Sequence, residues 1–369
     1  MTHRKRKTGL APYIVIAILS CALLCVFYAL STDKRIMESV TSAFSIKVLR
    51  AMGSFFSKIP VSFMEVYIAI ALLAIIAYIV CFIVFTVKSQ RKLITVLKFI
   101  LILIIAVSLV WNCFCWLWNT GYSGFDFAEK ANLAVKGITT EELTAVCRYM
   151  VHEANVLSKL VPRDADGVFK GSFADFSGDR AYVYDKLIAE FPFLDGETTV
   201  PKGVHFSRIM SRLGFTGVFF PLTGETYINT DFSAWEMPMT IAHEIAHQKG
   251  VHPENQCNFL GIAACIQQDD FSWQYSGYAS GLIYVMNALY KADYDAWLEL
   301  RRSFEMGLVR DWKANSEYWA QFEESTVSKA SDKVYDTFLK VNKQESGIKS
   351  YGECVDMLVT WMIRKGMVL

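Results

Sequence analysis

The chain has 369 residues, 53% of them hydrophobic, and its 37 basic side chains are nearly balanced by 36 acidic ones. This balance offers neither the basic surface typical of nucleic-acid binding nor a charge suited to a polyanionic partner, so we expect no nucleic-acid partner. The hydrophobic residues are unevenly distributed: long apolar runs fill the first third of the chain, and the remainder has the composition of a water-soluble domain.

Three apolar runs predict three transmembrane helices, at about residues 10–30, 62–87 and 93–118. Each run exceeds the roughly 20 residues that a helix needs to cross the hydrocarbon core of a bilayer. The first run is too long for the ~7–15-residue apolar part of a signal peptide and lacks a small-residue cleavage site, so we expect it to remain in the protein. Residues 1–118 are therefore predicted to form a membrane anchor in contact with the lipid bilayer.

Basic residues beside these runs indicate the orientation in the membrane. Residues 4–7 are all basic and precede the first run, and further basic residues surround the junction between the second and third runs. Both sets are typical of the cytoplasmic side. The loop over residues 31–60 is also basic and weakens this bias, whereas the third run ends in the uncharged, aromatic-rich sequence WNCFCWLWNTGY. An odd number of spans then predicts a cytoplasmic N-terminus and an extracytoplasmic domain over residues 119–369.

The outer domain is predicted to be α+β and mostly helical. Residues 139–142 form a capping box that opens a helix reaching about Leu160, along which apolar residues recur at helical spacing. Residues 162–176 are expected to form a loop because Gly, Asp and Ser are frequent there. Residues 216–231 predict two short strands in a hairpin. Further helices are expected over about residues 179–190, 206–213, 238–249, 253–267 and 273–293, and in several segments up to Arg364.

The segment TIAHEIAHQKGVHPENQCNF, residues 240–259, carries the side chains of a zinc centre. A helix places residues four apart on one face, so His243 and His247 can direct their imidazoles at one ion. Glu244 lies about 100° round the helix from His243, where its carboxylate can reach a water molecule activated by the metal. Glu254 begins the next helix, and if that helix folds back it supplies the third ligand. A His, His, Glu set leaves one position open, which distinguishes a catalytic zinc from a structural one.

Other interpretations of this segment fit its spacing and context less well. A metzincin requires a histidine at the position of Pro253, and His252, which we expect to be a surface residue, is one residue out of register. The segment is also too polar to lie within the bilayer, as the HExxH motif of an intramembrane metalloprotease does. A solvated helix face is the remaining alternative, but Ile241 and Ile245 form an apolar face opposite the histidines.

The predicted hairpin offers a way to hold an extended peptide substrate. Pro221 and the polar residues Thr226 and Asn229 favour an edge position in a sheet over a central one. A substrate would then add to the strand that contains Thr226, Tyr227 and Asn229 through main-chain hydrogen bonds. A hairpin that only closes the hydrophobic core is an equally good interpretation of these residues.

Catalysis also requires a group that stabilises the oxyanion formed during peptide hydrolysis. Tyr275 and Tyr278 are candidate catalytic residues because they follow the ligand helices in a polar, glycine-containing segment, and His205 is another candidate. For each of them, a packing aromatic ring or a surface histidine is the plainer interpretation. Asn258 is expected to orient a metal ligand by hydrogen bonding.

Several motifs together resemble a known family. They are HEIAHQKG, ENQCNF, WQYSGY, PLTGETYIN and, near the C-terminus, FLKVNKQESGIKSYG. With the three leading spans, this combination resembles the bacterial membrane-protein family catalogued as domain of unknown function 3810 over most of the chain. The resemblance implies a zincin-type metalloprotease with gluzincin-like features. In that comparison His243, Glu244 and His247 form the HExxH motif, and Glu254 with Asn258 is similar to the ExxAD motif of the second gluzincin helix.

The chain departs from this family at one place. Members commonly have a second glutamate followed by alanine where this chain has Gln256 and Cys257. If that glutamate were the metal ligand, the site here would be incomplete. We favour Glu254 as the ligand because its spacing to Asn258 fits the gluzincin helix.

The sequence therefore predicts a membrane-anchored, zinc-dependent metallopeptidase, in which three transmembrane helices precede a zincin-like domain with a small edge-strand sheet. A zinc-activated water would attack a peptide bond of a peptide or protein substrate, with Glu244 as the general base. Two alternatives remain: a zinc-binding membrane scaffold or sensor without catalysis, and a zinc hydrolase that acts on a non-peptide amide or ester. A pure scaffold would not require Glu244, which favours the peptidase.

Overall fold

The computed structural model describes residues 9–133, 137–178, 181–323, 326–341 and 352–368. The basic residues 4–7 and most of the C-terminal motif FLKVNKQESGIKSYG lie outside these ranges. The strands are β1 (Lys202–Gly203), β2 (Gly217–Phe220) and β3 (Glu225–Ile228). The helices are α1 (Ala11–Leu30), α2 (Lys34–Val40), α3 (Ile46–Phe56), α4 (Phe63–Lys88), α5 (Lys92–Leu117), α6 (Phe127–Lys130), α7 (Thr140–Ser158), α8 (Phe173–Phe176), α9 (Asp185–Glu190), α10 (Ser207–Arg212), α11 (Met237–Gln248), α12 (Glu254–Ile266), α13 (Phe271–Ala292), α14 (Tyr294–Arg302), α15 (Met306–Glu323), α16 (Thr326–Val341) and α17 (Gly352–Arg364).

Three helices, α1, α4 and α5, are long and apolar enough to cross a membrane, which confirms the prediction of a membrane protein with three such segments. Helices α1 and α5 also share polar contacts along their apolar surfaces. Ser20 Oγ lies 2.7 Å from Ser108 Oγ, and Asn112 Nδ2 donates to the Ser20 carbonyl oxygen at 2.9 Å. Such contacts hold membrane helices together because lipid offers polar groups no alternative partner.

Residues 31–60 are largely helical: α2 continues through a π-helical turn, Thr41–Ser45, into α3. Helix α3 is amphipathic and buries Leu49 in a small cluster beside the outer domain. Where it packs on the turn of the sheet, a Cβ on Gly53 would lie 2.5 Å from the Gly224 carbonyl oxygen. The sequence indicated only a connection between two spans here, and the apolar face of α3 is what gives this segment a helical structure.

The core of the outer domain is a bundle in which α11, α12 and α13 pack on one another and α7 packs along α13. Helix α7 begins at the predicted capping box. The Thr139 hydroxyl accepts from the Glu142 N–H at 3.2 Å, and the Glu142 carboxylate accepts from the Thr139 N–H at 2.8 Å. The buried face of α7 includes Val146, Cys147 and Met150, as their helical spacing predicted.

A small three-stranded sheet packs against α11, in the order β1-β3-β2. Strands β2 and β3 form the predicted antiparallel hairpin, in which Val218 lies opposite Tyr227. Gly224 closes the turn with a φ of +67°, a left-handed conformation that favours glycine. Strand β1 pairs in parallel with the other side of β3 through Lys202 and Gly203. Strand β3 is therefore central, and β2 is an open edge of the sheet.

The assignment of Thr226, Tyr227 and Asn229 to an edge strand was wrong, because all three are buried in or directly after the central strand. Gln248 Nε2 donates to the Thr226 hydroxyl at 2.8 Å, and Asn229 Nδ2 donates to the Ser211 hydroxyl at 2.9 Å. Their polarity serves internal hydrogen bonds rather than contact with solvent or substrate. Strand β1 escaped prediction because two residues are too few to show a strand's alternation.

Candidate metal centre

The two histidines of the predicted zinc centre lie on α11, whose ends follow from the sequence. Pro238 occupies its first turn, and Gly250, with a φ of +90°, turns the chain away after the last one. Helix α12 then returns along α11. At their contact a Cβ on Gly261 would lie 3.1 Å from the His243 backbone nitrogen, so glycine permits the close approach of the two helices. This return brings Glu254 next to the histidines.

The candidate ligand atoms of His243, His247 and Glu254 all lie within 4.8 Å of one another. Glu254 Oε2 is 3.1 Å from His243 Nε2, and Glu254 Oε1 is 3.8 Å from His247 Nε2. Ligands about 2.1 Å from a tetrahedral zinc lie roughly 3.4 Å apart, so this spacing fits the ion. Gln256, at the position where the chain departs from the family, instead accepts from the Phe127 N–H at 3.0 Å. Glu254 is thus the carboxylate that reaches both histidines.

Hydrogen bonds fix which ring nitrogen of each histidine can bind a metal. His243 Nδ1 lies 2.9 Å from Asn258 Oδ1, and His247 Nδ1 lies 2.9 Å from the Val251 carbonyl oxygen. Both oxygens accept hydrogen bonds, so each Nδ1 carries a proton and each Nε2 is the nitrogen that faces Glu254. His243 Nε2 donates to the Glu254 carboxylate at 3.1 Å, and a metal bound there would take the place of that proton. Asn258 therefore contacts the candidate ligand His243, at the place where the sequence predicted an orienting residue.

Burial and neighbouring charges set the ionisation of the ligand set. Burial opposes the ionisation of Glu254, but the hydrogen bond from His243 and the attraction of both imidazoles outweigh it and lower the pKa of Glu254 to about 2. Burial lowers the pKa of His247 to about 4, against the attraction of Glu254. At neutral pH Glu254 is therefore an anion and His247 is neutral, which are the forms that bind a divalent metal. At His243 burial opposes protonation, but the hydrogen bond and charge of Glu254 outweigh it and raise the pKa of His243, so metal binding there must release a proton.

Glu244 is buried beside this group and is held by strand β2. The Phe219 backbone N–H donates to its carboxylate, and a Cβ on Gly217 would lie 2.6 Å from its Oε1. Its Oε2 has no hydrogen-bond partner among the described residues. Burial raises the pKa of Glu244 to about 8, with the charge of His243 opposing the shift. The raised pKa makes the ionised form of Glu244 a stronger base than an exposed carboxylate, and its unpaired oxygen is placed to accept a proton from a molecule in the adjoining cavity.

A cavity of about 820 Å³ opens on the ligands and Glu244. This volume lies in the range of small-molecule and peptide sites. One side is formed by β2 and the following turn, another by the last turns of α5, and the rest by α11, α12, α13 and α16. Met239 and Thr240 of α11 and Glu236, which directly precedes this helix, also line the cavity. The cavity gives a substrate direct access to the candidate metal centre.

Sequence reasoning missed Tyr335 on α16, which lines the same cavity. Its hydroxyl hydrogen-bonds to the Glu254 carboxylate, and burial together with nearby negative charge raises the pKa of Tyr335 well above its usual value. Tyr335 therefore stays protonated and donates to the third ligand. The sequence around Tyr335 does not indicate this role, because the residue is far from the zinc-binding segment in sequence and lies on a helix without a recognisable motif.

The structure does not place Tyr275 and Tyr278 in this cavity, so their assignment as oxyanion-stabilising residues was wrong. The Tyr275 hydroxyl donates to the Asp311 carboxylate, and its ring stacks on Phe169 at a centroid distance of 5.9 Å. The Tyr278 hydroxyl lies 3.4 Å from that of Tyr149. The segment that contains them is a regular helix rather than a turn, and both tyrosines lie on a face of α13 directed into the core.

The other histidines among the described residues lie outside the cavity lining as well. His205 is exposed, and its backbone N–H donates to the Glu65 carboxylate at 3.3 Å, so the surface interpretation holds. His252 is fully buried, which corrects its assignment to the surface. Its ring packs edge-on against Trp118 with a centroid distance of 4.4 Å. Trp118 and the residues Gly121 and Tyr122, which follow α5, cover this position, and the sequence around His252 gave no sign of that cover.

The fold and site together define a mostly helical membrane protein with a candidate His, His, Glu metal centre beside a buried glutamate. The family model described as "Protein of unknown function (DUF3810)" matches residues 41–359, which is most of the chain. The chain therefore belongs to this family, as the sequence motifs indicated. Neither the curated proteins nor the solved structures contain a match to it.

Proposed function

We propose that the protein is a membrane-anchored, zinc-dependent metallopeptidase. The observation that carries this proposal is the convergence of His243, His247 and Glu254 on one point, with the Glu244 carboxylate at the wall of the same cavity. Two imidazoles and one carboxylate are a ligand set typical of catalytic zinc. Imidazole nitrogen also favours zinc over calcium or magnesium, which prefer oxygen ligands throughout.

The residues around the centre have distinct roles in this proposal. Zinc, when bound, would polarise the scissile carbonyl group and acidify the attacking water. Glu244 takes the proton that the water loses as its oxygen bonds to the carbonyl carbon, and returns a proton to the leaving nitrogen as the C–N bond breaks. Asn258 holds the His243 ring in its binding orientation. Tyr335 holds the Glu254 carboxylate.

The open edge of β2 is the surface proposed to hold the substrate. The Asn229 N–H donates to the Thr216 carbonyl oxygen at 2.9 Å. Because pairing in an antiparallel ladder alternates, the backbone groups of Val218 and Phe220 also face β3, and those of Gly217 and Phe219 face outward. The Phe219 N–H already donates to the Glu244 carboxylate, so the groups offered to a substrate are the two carbonyl oxygens and the Gly217 N–H. All of β2 lines the cavity. An extended peptide would add to this edge, beside the metal centre, through main-chain hydrogen bonds.

The distribution of basic residues supports an extracytoplasmic position for the outer domain. Lys88, Arg91 and Lys92 lie at the tight connection between α4 and α5, where positive charge is typical of the cytoplasmic side. The opposite end of α5 leads into the outer domain through the uncharged sequence WLWNTGY. With three spans, this orientation leaves the N-terminus in the cytoplasm and the catalytic domain outside.

Cleavage of an unfolded polypeptide by the full-length protein in detergent tests the proposal. We expect zinc-dependent cleavage that Glu244→Gln lowers by about 10²–10⁴-fold, the usual contribution of a general base. Glu141→Gln is the matched control, because Glu141 lies exposed in the first turn of α7. Equal cleavage by wild type and Glu244→Gln would show that the base is misassigned. Zinc binding without cleavage by either would favour the scaffold.

A further inference from the structure

The cavity at the metal centre is not enclosed by the outer domain alone, because one wall belongs to the membrane helix α5. Val110, Trp111, Phe114 and the following Trp118 line it on this side. The facing wall consists of β2 and the turn residues Pro221 and Leu222, which are also apolar. A helix of membrane-spanning length and the proposed catalytic groups therefore share one cavity.

The position of this wall along α5 indicates where the metal centre lies relative to the bilayer. The Trp118 ring, one residue beyond the end of α5, lies 5.1 Å from the His247 ring between centroids. The 26 residues of α5 form a helix about 39 Å long, whereas the hydrocarbon core of a bilayer is roughly 30 Å thick. If α5 is centred, about 5 Å of it emerge on each side. Val110 lies about 10 Å below the end at Leu117, hence some 5 Å inside the hydrocarbon.

Aromatic side chains support this placement. Trp111 Nε1 donates to the Tyr28 hydroxyl at 3.0 Å on the exposed surface of α1 and α5. Tryptophan and tyrosine with such amphipathic exposure are typical of the level where lipid headgroups meet the acyl chains. The cavity therefore extends from a metal centre close to the membrane surface down to the outer part of the acyl-chain layer.

Helices α4 and α5 leave a gap at this level. Near their connecting turn they are in contact: Phe82 packs against Phe99 at 5.4 Å between ring centroids, and the Tyr78 hydroxyl donates to the Phe99 carbonyl oxygen at 2.7 Å. At the opposite ends each helix contacts strand β2 instead. Tyr67 of α4 packs on Phe220 at 5.5 Å, and Trp118 stacks on Phe219 at 5.2 Å.

Successive residues of a strand point to opposite faces, so β2 is held between the separated ends of α4 and α5. Val110, which lines the cavity, is at the same time 53% exposed on the outer surface of α5. The surface that lipid would cover and the wall of the cavity are therefore continuous at this residue. An apolar chain can pass from the bilayer into the cavity without crossing a polar barrier.

We infer that the cavity admits its substrate from the bilayer side, and that the substrate is an extended segment of a membrane-anchored polypeptide directly outside its own span. This inference depends on the proposed peptidase function and names its substrate class. A polypeptide is favoured over a lipid because the outward carbonyl groups of Gly217 and Phe219 lie about 7 Å apart, which matches the repeat of an extended main chain. An acyl chain has no groups to pair with them.

The geometry sets the distance between the substrate's span and the cleaved bond. The metal centre lies just beyond the end of α5, because the ring of Trp118 contacts the ring of the candidate ligand His247. An extended chain covers about 3.3 Å per residue, so a bond some 5–15 Å outside the hydrocarbon is two to five residues from the end of a span. Tethering to the same bilayer also raises the local concentration of this segment, to the millimolar range for short linkers.

Full-length protein in phosphatidylcholine and phosphatidylglycerol vesicles tests the inference. The probe is a synthetic polypeptide with one apolar span followed by a mixed-sequence extended segment; the same segment without the span is the soluble comparison. We expect the tethered segment to be cleaved at least about tenfold faster, within about five residues of the span. A rigid spacer of ten prolines, about 31 Å long, between span and segment removes this advantage.

Variants of α5 examine the proposed entrance. Val110→Trp fills the cavity wall and should lower cleavage of the tethered segment at least about tenfold, so that the ratio of tethered to soluble rates falls towards one. Leu109→Trp is the matched control and should leave this ratio unchanged. Leu109 is the adjacent lipid-exposed residue, at 48% exposure, and it does not line the cavity.

The outcomes separate this inference from the proposed function. Equal rates for tethered and soluble segments, with Val110→Trp silent, overturn bilayer entry and leave the peptidase intact. Release of fatty acid from the vesicles instead of peptide cleavage overturns the substrate class. If the wild type cleaves nothing, a photo-crosslinking residue at position 110 of the Glu244→Gln variant tests entry directly. A covalent adduct with the tethered polypeptide that is absent when the crosslinker is at position 109 supports entry from the bilayer. Absence of an adduct at position 110 overturns it.

Discussion

Replacing Gly217 by alanine adds one methyl group, which should lower catalytic activity without affecting the fold. A Cβ at this residue would lie 2.6 Å from Glu244 Oε1 and 2.7 Å from Glu244 Cγ. Ordinary contacts begin near 3.5 Å, so the Glu244 carboxylate must move by on the order of 1 Å. A displacement of that size at a reacting group can reduce the rate about 10²-fold, equivalent to roughly 2.7 kcal/mol in the activation barrier.

The strand itself should tolerate the change, because alanine is compatible with extended backbone and Gly217 has no left-handed φ. We therefore expect Gly217→Ala to lose about 10²-fold in kcat/KM for an unfolded polypeptide while its zinc content stays at the wild-type level. Gly137→Ala is the control, since a Cβ there meets nothing within 4 Å. A kcat/KM for Gly217→Ala within twofold of wild type would refute the role of Glu244 at its observed position.

Three further predictions concern Asn258 and Glu236 at the cavity and Tyr275 in the core. Asn258→Ala should weaken zinc binding about 10–100-fold in a chelator competition, and Asn258→Asp should recover most of the loss because a carboxylate also accepts from His243; equal affinities would contradict the orienting role. Tyr275→Phe should cost about 1–3 kcal/mol of stability by leaving the buried Asp311 short of a donor, with kcat/KM unchanged; a loss of activity at full stability would restore Tyr275 to the catalytic site. Burial raises the pKa of Glu236 from 4.5 to about 7, so the folded protein holds this proton more tightly than the unfolded chain does. The resulting contribution to the free energy of unfolding is complete below pH 4.5 and is lost as the pH rises through 7, and the loss is at most ~3 kcal/mol. Thermal unfolding in detergent should show this decline in wild type and a flatter profile in Glu236→Gln; parallel profiles would contradict it.

The sequence was sufficient for features whose signal is local and periodic. The three apolar runs exceed a bilayer's thickness wherever they are placed, and the capping box at Thr139 and Glu142 specifies its own helix start. The spacing of His243 and His247 places both on one helical face before any tertiary contact is known. Glu254 required one more assumption, that α12 folds back on α11, and the glycine at 261 permits that contact.

The errors arose where a residue's role depends on distant segments. Thr226 and Asn229 looked like edge residues because a polar strand residue is usually solvated, but Gln248 and Ser211 satisfy them inside the domain. Tyr275 was assigned to catalysis from its proximity in sequence to the ligands, whereas the direction of its side chain is set by the rotation of α13. Tyr335 and the cavity wall of α5 are brought to the site only by tertiary packing.

The central claim is that one metal ion is held by His243, His247 and Glu254, and elemental analysis of the purified full-length protein tests it most directly. We expect about one zinc per chain in wild type and in His152→Ala, a control at an exposed histidine of α7, and loss of most of it in His247→Ala. Size-exclusion chromatography in detergent should show all three proteins to be folded and equally dispersed. Equal zinc in wild type and His247→Ala, or no zinc in wild type after purification in zinc-containing buffer, would contradict the account.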